Sequence, residues 1–410
     1  MNDPRVLIVG FGDALNYGGE AIVHGTIHML LDIWPDARIT IATDNLISAH
    51  KAFSTYNGVT IINAKKRFSA YRIAKGLLRR VGIGDGSPVR MKTSIVDGHD
   101  IVLSVGGDNF VQTPQKNISM LLEDLLAIGK RTKANGAFYC LWGASVGPFD
   151  DPQCFDKISR HLEMTDLIVV REQRAFDYLL KMGITGAVMT ADPAFCMAPK
   201  GAERALKGSE DEILIGVNLS RLGLDYLSPS DSDEQNISVL ADSVKRLLEL
   251  DNRIRIVFIP HVMSSSGGAQ DDCAFLEALE RAVDCPTRTF SLPYGIGSPS
   301  TKSLMAQCDL VVAARMHCFV GSVSAGTPAL MVAYSDKGHG MANFVYGHDR
   351  YVLGMNELNA ESLVSKVGSM LSARKSLREF LQGQRSAWKE DAQKAAMALR
   401  AAYERSRQAC

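Results

Sequence analysis

No stretch of this chain is apolar for long enough to span a bilayer, no two of its cysteines form a CxxC pair, and neither sign of charge predominates. Each absence removes a class of function. Forty-five basic residues balance forty-five acidic ones, so no global field draws the protein to nucleic acid or to an anionic membrane, and any anion site must be local. The opening MNDPRVLIVGFGD holds only a short apolar run, which reads as neither a signal peptide nor a membrane span. The eight cysteines, at 140, 154, 196, 273, 285, 308, 318 and 410, are scattered without metal-ligand spacing. That distribution predicts a reducing cytoplasm, mostly buried thiols and no metal. The glycine-rich stretch GFGDALNYGGEA is not a GxGxxG fingerprint, because Gly10 and Gly12 are followed by no glycine until Gly18, and no Walker lysine follows Gly19. Nicotinamide cofactors and ATP are thereby disfavoured. The second half also lacks an obvious acidic ribose clamp, which counts against an ordinary sugar-nucleotide donor.

What is present suits a soluble globular protein. A chain of 410 residues, 46% hydrophobic and 22% charged, has ample material for a core and suits two domains of middling size. Strand and helix patterns alternate, which argues for parallel sheets. Strands are expected at 5–9, 39–43, 59–63 and 100–105, with a helix at about 20–34. Between the third and fourth strands lies a basic segment, 65–92, with KKR, KGLLRR and VRMK. It reads either as a cover that meets an anionic acceptor or as an exposed helical hairpin with a solvated charged face. A helix at about 118–135, a strand at 137–142, a helix near 152–163 and a strand at 167–170 follow. The last of these runs into REQRAFDYLLKMG, an amphipathic helix whose first residue is the cation Arg171. A cation there opposes the helix macrodipole. Recognition of a carboxylate or phosphate would explain it, as would a salt bridge to Asp192.

The polar stretch CMAPKGAERALKGSED reads as a linker. A second alternation follows: strand ILIGVNLS ending at Arg221, helix 237–250, strand 254–259 ending in Pro260 and His261, helix 272–282, a weaker strand at 288–292 and a helix at 300–307. Residues 361–408 are charged and helical throughout and are expected to pack across both domains. The expected division is a first domain at 1–197, a linker at 198–211, a second domain at 212–358 and C-terminal helices at 359–410. The expected fold class is α/β, with two doubly wound, Rossmann-like domains, and C-terminal helices crossing back.

The densest chemistry lies in AARMHCFVGSVSAGTPALMVAYSDKGHG, residues 313–340. An apolar strand leads into Arg315, Met316 and His317; Gly326 signals a helix stop; a second strand, 329–334, leads to Lys337. Ligands of open α/β sheets bind beyond the carboxyl ends of the strands. Two cations and an imidazole at adjacent strand ends therefore point to an anionic substrate handled by proton transfer. Other strand and helix ends add candidates: Asn16 and Gly18 at a helix start whose amides favour an anion, Gly107, Asp108 and Asn109 after the fourth strand, and Arg221 and His261 in the second half. His339 stays undecided.

Taken in order, LNYGGEA, SVGGDNF, GASVGPF, REQRAFDYL, ADPAF, GVNLS, CDLVVAARMHC and YSDKGHG resemble the polysaccharide pyruvyltransferase family over about residues 5–344. The resemblance implies a glycosyltransferase-B-like fold, phosphoenolpyruvate as donor substrate with no cofactor or metal, and transfer of a pyruvyl ketal onto two hydroxyls of a sugar in a glycan or its precursor, with release of phosphate. It places Arg171, His317 and Lys337 around phosphoenolpyruvate, with Arg315 beside them. In that setting His317 is the candidate general acid toward the enol methylene, Lys337 or Arg171 would stabilise the departing phosphate, and Asp108, ahead of Asp13, is the candidate base. Arg315, Met316, Asn16, Gly18, Gly107, Asn109, Arg221 and His261 are the candidate substrate-binding residues. The partners expected are phosphoenolpyruvate and a saccharide acceptor, lipid-linked or nucleotide-linked. No nucleic acid and no transmembrane segment are expected, while a peripheral membrane contact through segment 65–92 at the inner face, and oligomerisation, stay open. Two other readings compete: a glycosyltransferase of the same architecture using a nucleotide sugar, with Arg315 and Lys337 on the diphosphate, and a non-catalytic sugar-binding protein.

Overall fold

The computed structural model describes residues 3–65, 90–112, 119–201, 204–223, 233–263 and 271–408. The chain forms two compact units, one comprising Met1–Ala14, Thr26–Pro193 and Asp391–Cys410, the other Leu15–Gly25 and Ala194–Glu390. Most of the basic segment 65–92, residues 66–89, lies outside the described residues.

The first unit is built on seven strands: β1 (Arg5–Val9), β2 (Arg38–Thr43), β3 (Val59–Asn63), β4 (Ile101–Val105), β5 (Phe138–Ala144), β6 (Leu167–Val170) and β7 (Val188–Met189). They pair in parallel in the order β3-β2-β1-β4-β5-β6-β7. Every residue of β4, β5 and β6 is buried. Strands covered on both faces read as unbroken apolar runs, which is why these were visible without period-two alternation. The helices of this unit are the later part of α1 (Tyr17–Ile33), then α2 (Leu46–Phe53), α3 (Met120–Ala134), α4 (Pro152–Glu163) and α5 (Gln173–Lys181). Helix α4 begins where its residues dictate: Asp151 Oδ1 accepts from Cys154 N at 2.9 Å and Pro152 occupies the first turn.

The second unit holds six parallel strands: β8 (Ile213–Asn218), β9 (Ile254–Phe258), β10 (Thr289–Ser291), β11 (Leu310–Ala313), β12 (Ala329–Ala333) and β13 (Val352–Gly354). Their order is β10-β9-β8-β11-β12-β13. Its helices are α6 (Asp233–Glu249), α7 (Asp272–Val283), α8 (Ser298–Met305), α9 (Met316–Ala325), α10 (Asp336–Tyr346) and α11 (Ala360–Ser372). Gly326 ends α9 with φ 87°, the left-handed cap that a glycine adopts without steric cost. The last helix, α12 (Arg374–Gln408), belongs to the second unit through Glu390 and to the first from Asp391. In the first unit its final turns present Tyr403 edge-on to Trp34 and to Phe138, each at 5.9 Å.

Three expectations shift. Helix α5 starts at Gln173 with Glu172 as its N-cap, so Arg171 precedes the helix and does not open it; the conflict with the macrodipole disappears. The chain changes unit at Pro193/Ala194, before the polar stretch, and the residues after it pack within the second unit through Lys200 N to Pro299 O at 3.1 Å and Leu206 N to Gln307 Oε1 at 2.8 Å. Residues Leu15–Gly25 also count with the second unit. There Asn16 bridges Val262, Tyr17 N donates to His261 O at 3.0 Å, and Met263 N donates to Leu15 O at 3.0 Å.

None of the seven described cysteines is in a disulfide, and six of them are buried. Among the described residues no helix is long and apolar enough to cross a membrane.

Candidate active site

The sheet of the second unit reverses direction of winding between β8 and β11, the position where doubly wound sheets open a crevice at their carboxyl ends. Asn218, the fully buried last residue of β8, ties three strand ends together. Its Nδ2 donates to Ile259 O at 2.8 Å, its Oδ1 accepts from Arg315 N at 2.9 Å, and its carbonyl accepts from Ala314 N at 2.7 Å. Arg315 follows β11 in extended conformation as the N-cap of α9. Its guanidinium meets Asp272, whose side chain is 0% exposed: Nη2 lies 2.7 Å and Nε 3.2 Å from Oδ1. The other oxygen, Oδ2, accepts from the main-chain N–H groups of His261 and Val262, each at 3.0 Å. One carboxylate thus sets the orientation of the Arg315 fork and the path of the loop after β9, through charge-assisted bonds.

His317 sits in the first turn of α9, half-buried. Gly18 explains how close the chain comes to it, because a Cβ at that position would stand 2.5 Å from His317 Nδ1. Asn16 shapes the same turn by accepting from Gly18 N at 3.0 Å and Gly19 N at 3.3 Å. Tyr17 packs its ring edge-on against His261 at 5.6 Å, and its hydroxyl, with a pKa pushed up to about 12 by burial, accepts from Gly297 N at 3.1 Å. His261 itself is buried. Burial first, and then the neighbouring His317 and Arg315, push its pKa down to about 3, so its ring is neutral, while its main-chain N–H donates to Asp272 Oδ2 and its carbonyl accepts from Tyr17 N.

The remaining candidates occupy flanking strand ends. Arg221 opens a short 3-10 turn (Arg221–Gly223) after β8, Met316 is the first residue of α9, and Lys337 is the second residue of α10, just past β12. Four consecutive strands, β9, β8, β11 and β12, therefore carry His261, Arg221, the Arg315 to His317 group and Lys337 at their carboxyl ends. His339 is exposed. Among the described residues no group of three or more His, Cys, Asp or Glu side chains could hold a metal ion.

The first unit has its own reversal, between β1 and β4. Asn109 Nδ2 donates to Gly10 O at 2.8 Å and to Val105 O at 2.9 Å, so its amide fastens the turn after β4 to the turn after β1. Gly107 lies flat against Arg171; a Cβ there would overlap Nη2 of the guanidinium. The Arg171 side chain is only 2% exposed, with Nη1 2.6 Å from the buried Asp192 Oδ2 and Nη2 3.8 Å from Asp108 Oδ1. Burial opposes its charge, but Asp192, Asp108 and Glu172 outweigh that and raise the pKa. Asp108 presents a side chain that is 65% exposed. Asp13 is half-buried in the turn whose Gly12 carbonyl accepts from Thr43 Oγ1 at 3.0 Å.

Asp272, Asn218 and Tyr17 are the site residues that motif reasoning passes over. Asn218 had a signal, a lone polar residue at the end of an apolar strand. Asp272 had almost none, because an aspartate pair ahead of a helix reads as a cap.

Solved structures share this fold. A putative UDP-N-acetylglucosamine 2-epimerase from Listeria monocytogenes is similar with a TM-score of 0.63 and 14% identity, covering 100% of this chain and 98% of its own. A glycosyltransferase from Rickettsia africae ESF-5 gives 0.57 at 11% identity over 99% of each chain. UDP-GlcNAc 2-epimerase from Neisseria meningitidis gives 0.59 at 10% identity, over 96% of this chain and 98% of that one. At such identities the likeness concerns the fold, which is the two-domain α/β architecture of glycosyltransferase-B enzymes. The sequence is more specific, for residues 16–336 match the polysaccharide pyruvyl transferase family model. The chain belongs to the polysaccharide pyruvyl transferase family, enzymes that transfer a pyruvyl group from phosphoenolpyruvate to a sugar.

Proposed function

We propose that phosphoenolpyruvate is bound at the carboxyl ends of β8, β11 and β12, with Arg315 and Lys337 as its cations and His317 as the general acid. The observation that carries this reading is the Asp272-locked guanidinium of Arg315 beside His317, at the point where the sheet reverses. A planar fork held in one orientation suits a carboxylate or phosphate.

In this reading one sugar hydroxyl attacks C2 of the enol while His317 delivers a proton to C3, which becomes the methyl group. The hydroxyl proton passes to the bridging phosphate oxygen of the donor. The C–O bond to phosphate then breaks with its electron pair going to the bridging oxygen, which carries the first hydroxyl's proton away as hydrogen phosphate beside Lys337, and the second hydroxyl bonds to C2 to close the ketal while its proton restores His317. Arg221, Met316, Gly18 and Asn16 shape the donor pocket. Arg171 is assigned a positioning role, holding Gly107 and Asp108 through its buried pair with Asp192.

We infer a saccharide acceptor on a glycan precursor, lipid-linked or nucleotide-linked, met in the cytoplasm and, for a lipid-linked acceptor, at the inner membrane face. The neutral overall charge supports an encounter governed by local recognition. The test is His317→Ala, assayed by phosphate release from phosphoenolpyruvate across a panel of sugar precursors and by titration of the donor. Loss of a general acid lowers turnover by about 10²–10⁴-fold with little change in donor affinity. Turnover comparable to the wild type refutes the assignment.

A further inference from the structure

A second cluster of cations lies in the second unit, away from the strand ends just described. A cavity of about 400 Å³ is lined by Lys302, Arg385 and Lys389, by Ser324, Gln382 and Ser386, and by residues 195–199; among the described residues no carboxylate lines it. Lys302, on α8, is only 2% exposed, and among the described residues its one hydrogen bond donates to Met197 O at 2.8 Å. An ammonium carries three N–H donors, so the wall of the cavity offers further donor capacity at a buried cation. Arg385 and Lys389 stand four residues apart on α12, on one helical face, both exposed at the rim. Buried cations are ordinarily paired, and two like charges on one helical face repel each other.

We propose that this cavity binds a phosphate group, either inorganic phosphate or the phosphate ester of a small metabolite, between Lys302 at its base and Arg385 and Lys389 at its rim. Burial, and after it Arg385, push the Lys302 amine down to about 7, against the opposing pull of Cys196; a bound dianion would hold it charged. Ser386 supplies a hydroxyl donor, and the apolar remainder of the wall leaves room for the carbon skeleton of an ester. The bound group would also fasten residues 195–199 to α8 and α12 within this unit. This site is independent of the donor pocket and of the reaction assigned to it.

Calorimetric titration and thermal melting of the full chain test the proposal, with inorganic phosphate in one arm and glucose 1-phosphate in the other, ionic strength being held constant with sodium chloride. Binding is expected in the wild type and in Arg315→Gln, which disables the proposed donor pocket, and it should weaken about tenfold or more in Arg385→Ala, the size of one lost charge-assisted bond. Lys302→Met should abolish it. Should that buried substitution prevent folding, the exposed Arg385→Ala and Lys389→Ala decide the matter, and should Arg315→Gln misfold, the stoichiometry of the wild type against Arg385→Ala does so. Binding of phosphate alone identifies the free ion and tighter binding of the ester identifies a metabolite; either supports the site. Affinities unaltered by Arg385→Ala and Lys389→Ala, or a response that chloride reproduces, overturn it as an adventitious ion only.

Discussion

Asp272→Asn removes one charge and moves no heavy atom, yet it should undo much of the second unit's site. Oδ1 faces Arg315 Nη2 at 2.7 Å and Nε at 3.2 Å, while Oδ2 faces His261 N and Val262 N at 3.0 Å each. All four groups are donors. An amide keeps one acceptor and turns the other oxygen into a donor, so either the guanidinium or the two main-chain N–H groups lose their partner. The Asp272 side chain is 0% exposed and that of Arg315 11%, so water replaces little of what is lost. Breaking a buried pair by removing one charge costs roughly 3–5 kcal/mol, and the slight exposure of Arg315 argues for the lower end. Urea unfolding measures the loss, and phosphoenolpyruvate titration should show affinity falling with it, since the fork loses its fixed orientation. Asp271→Asn is the matched control: Asp271 caps α7 by accepting from Cys273 N at 2.8 Å, and asparagine caps as well as aspartate. The reasoning fails should Asp272→Asn match Asp271→Asn in unfolding midpoint and bind the donor with wild-type affinity.

Gly18→Ala places a Cβ 2.5 Å from His317 Nδ1, so the imidazole must move; displacement of a reacting group by about 1 Å costs on the order of a hundredfold in turnover, and an unchanged kcat would contradict the close approach. Arg171→Lys loses the planar fork against Asp192 and should lower stability by about 2 kcal/mol while leaving phosphoenolpyruvate affinity nearly unchanged; the opposite pattern would make Arg171 a donor contact. Burial lowers two histidines well below their usual 6.5, His161 to about 4 and His261 to about 3. Both are neutral when folded and gain protons on unfolding below pH 6.5, so the stability present above that pH is lost as pH falls toward those values. The slope is about 1.4 kcal/mol per pH unit for each histidine, and urea midpoints that stay level between pH 6.5 and 4.5 would refute the burial of both rings.

Much of the architecture was legible because its strands are buried on both faces. Strands β3 and β6 and helix α4 have the boundaries their patterns predict, and Gly326 stops α9 as its type requires. Less legible were the short edge strands β7 and β13, and helix α10, whose DKGHGMANF holds two glycines and reads as a loop. The candidate site was legible where strand ends are tagged by unusual residues, as at Arg315, His317 and Lys337. It was illegible where long-range partners decide the role. Arg171 reads as either a ligand-facing cation or the partner of Asp192, and only the folded chain shows that Asp192, 21 residues on, holds it. Asp272, 43 residues before Arg315, is invisible as its counter-ion. The residues Leu15–Gly25 likewise look continuous with the first domain, and only their bonds to the loop after β9 assign them to the second unit.

The most direct test of the account is calorimetric titration of the protein with phosphoenolpyruvate, and in parallel with UDP, GDP and CMP, repeated on Arg315→Ala after its folding has been checked by thermal melting. The account predicts that phosphoenolpyruvate binds the wild type, that folded Arg315→Ala loses this binding, and that no nucleotide binds either protein. Tight binding of a nucleoside diphosphate with none of phosphoenolpyruvate would contradict it and assign the Arg315 and His317 pocket to a nucleotide sugar.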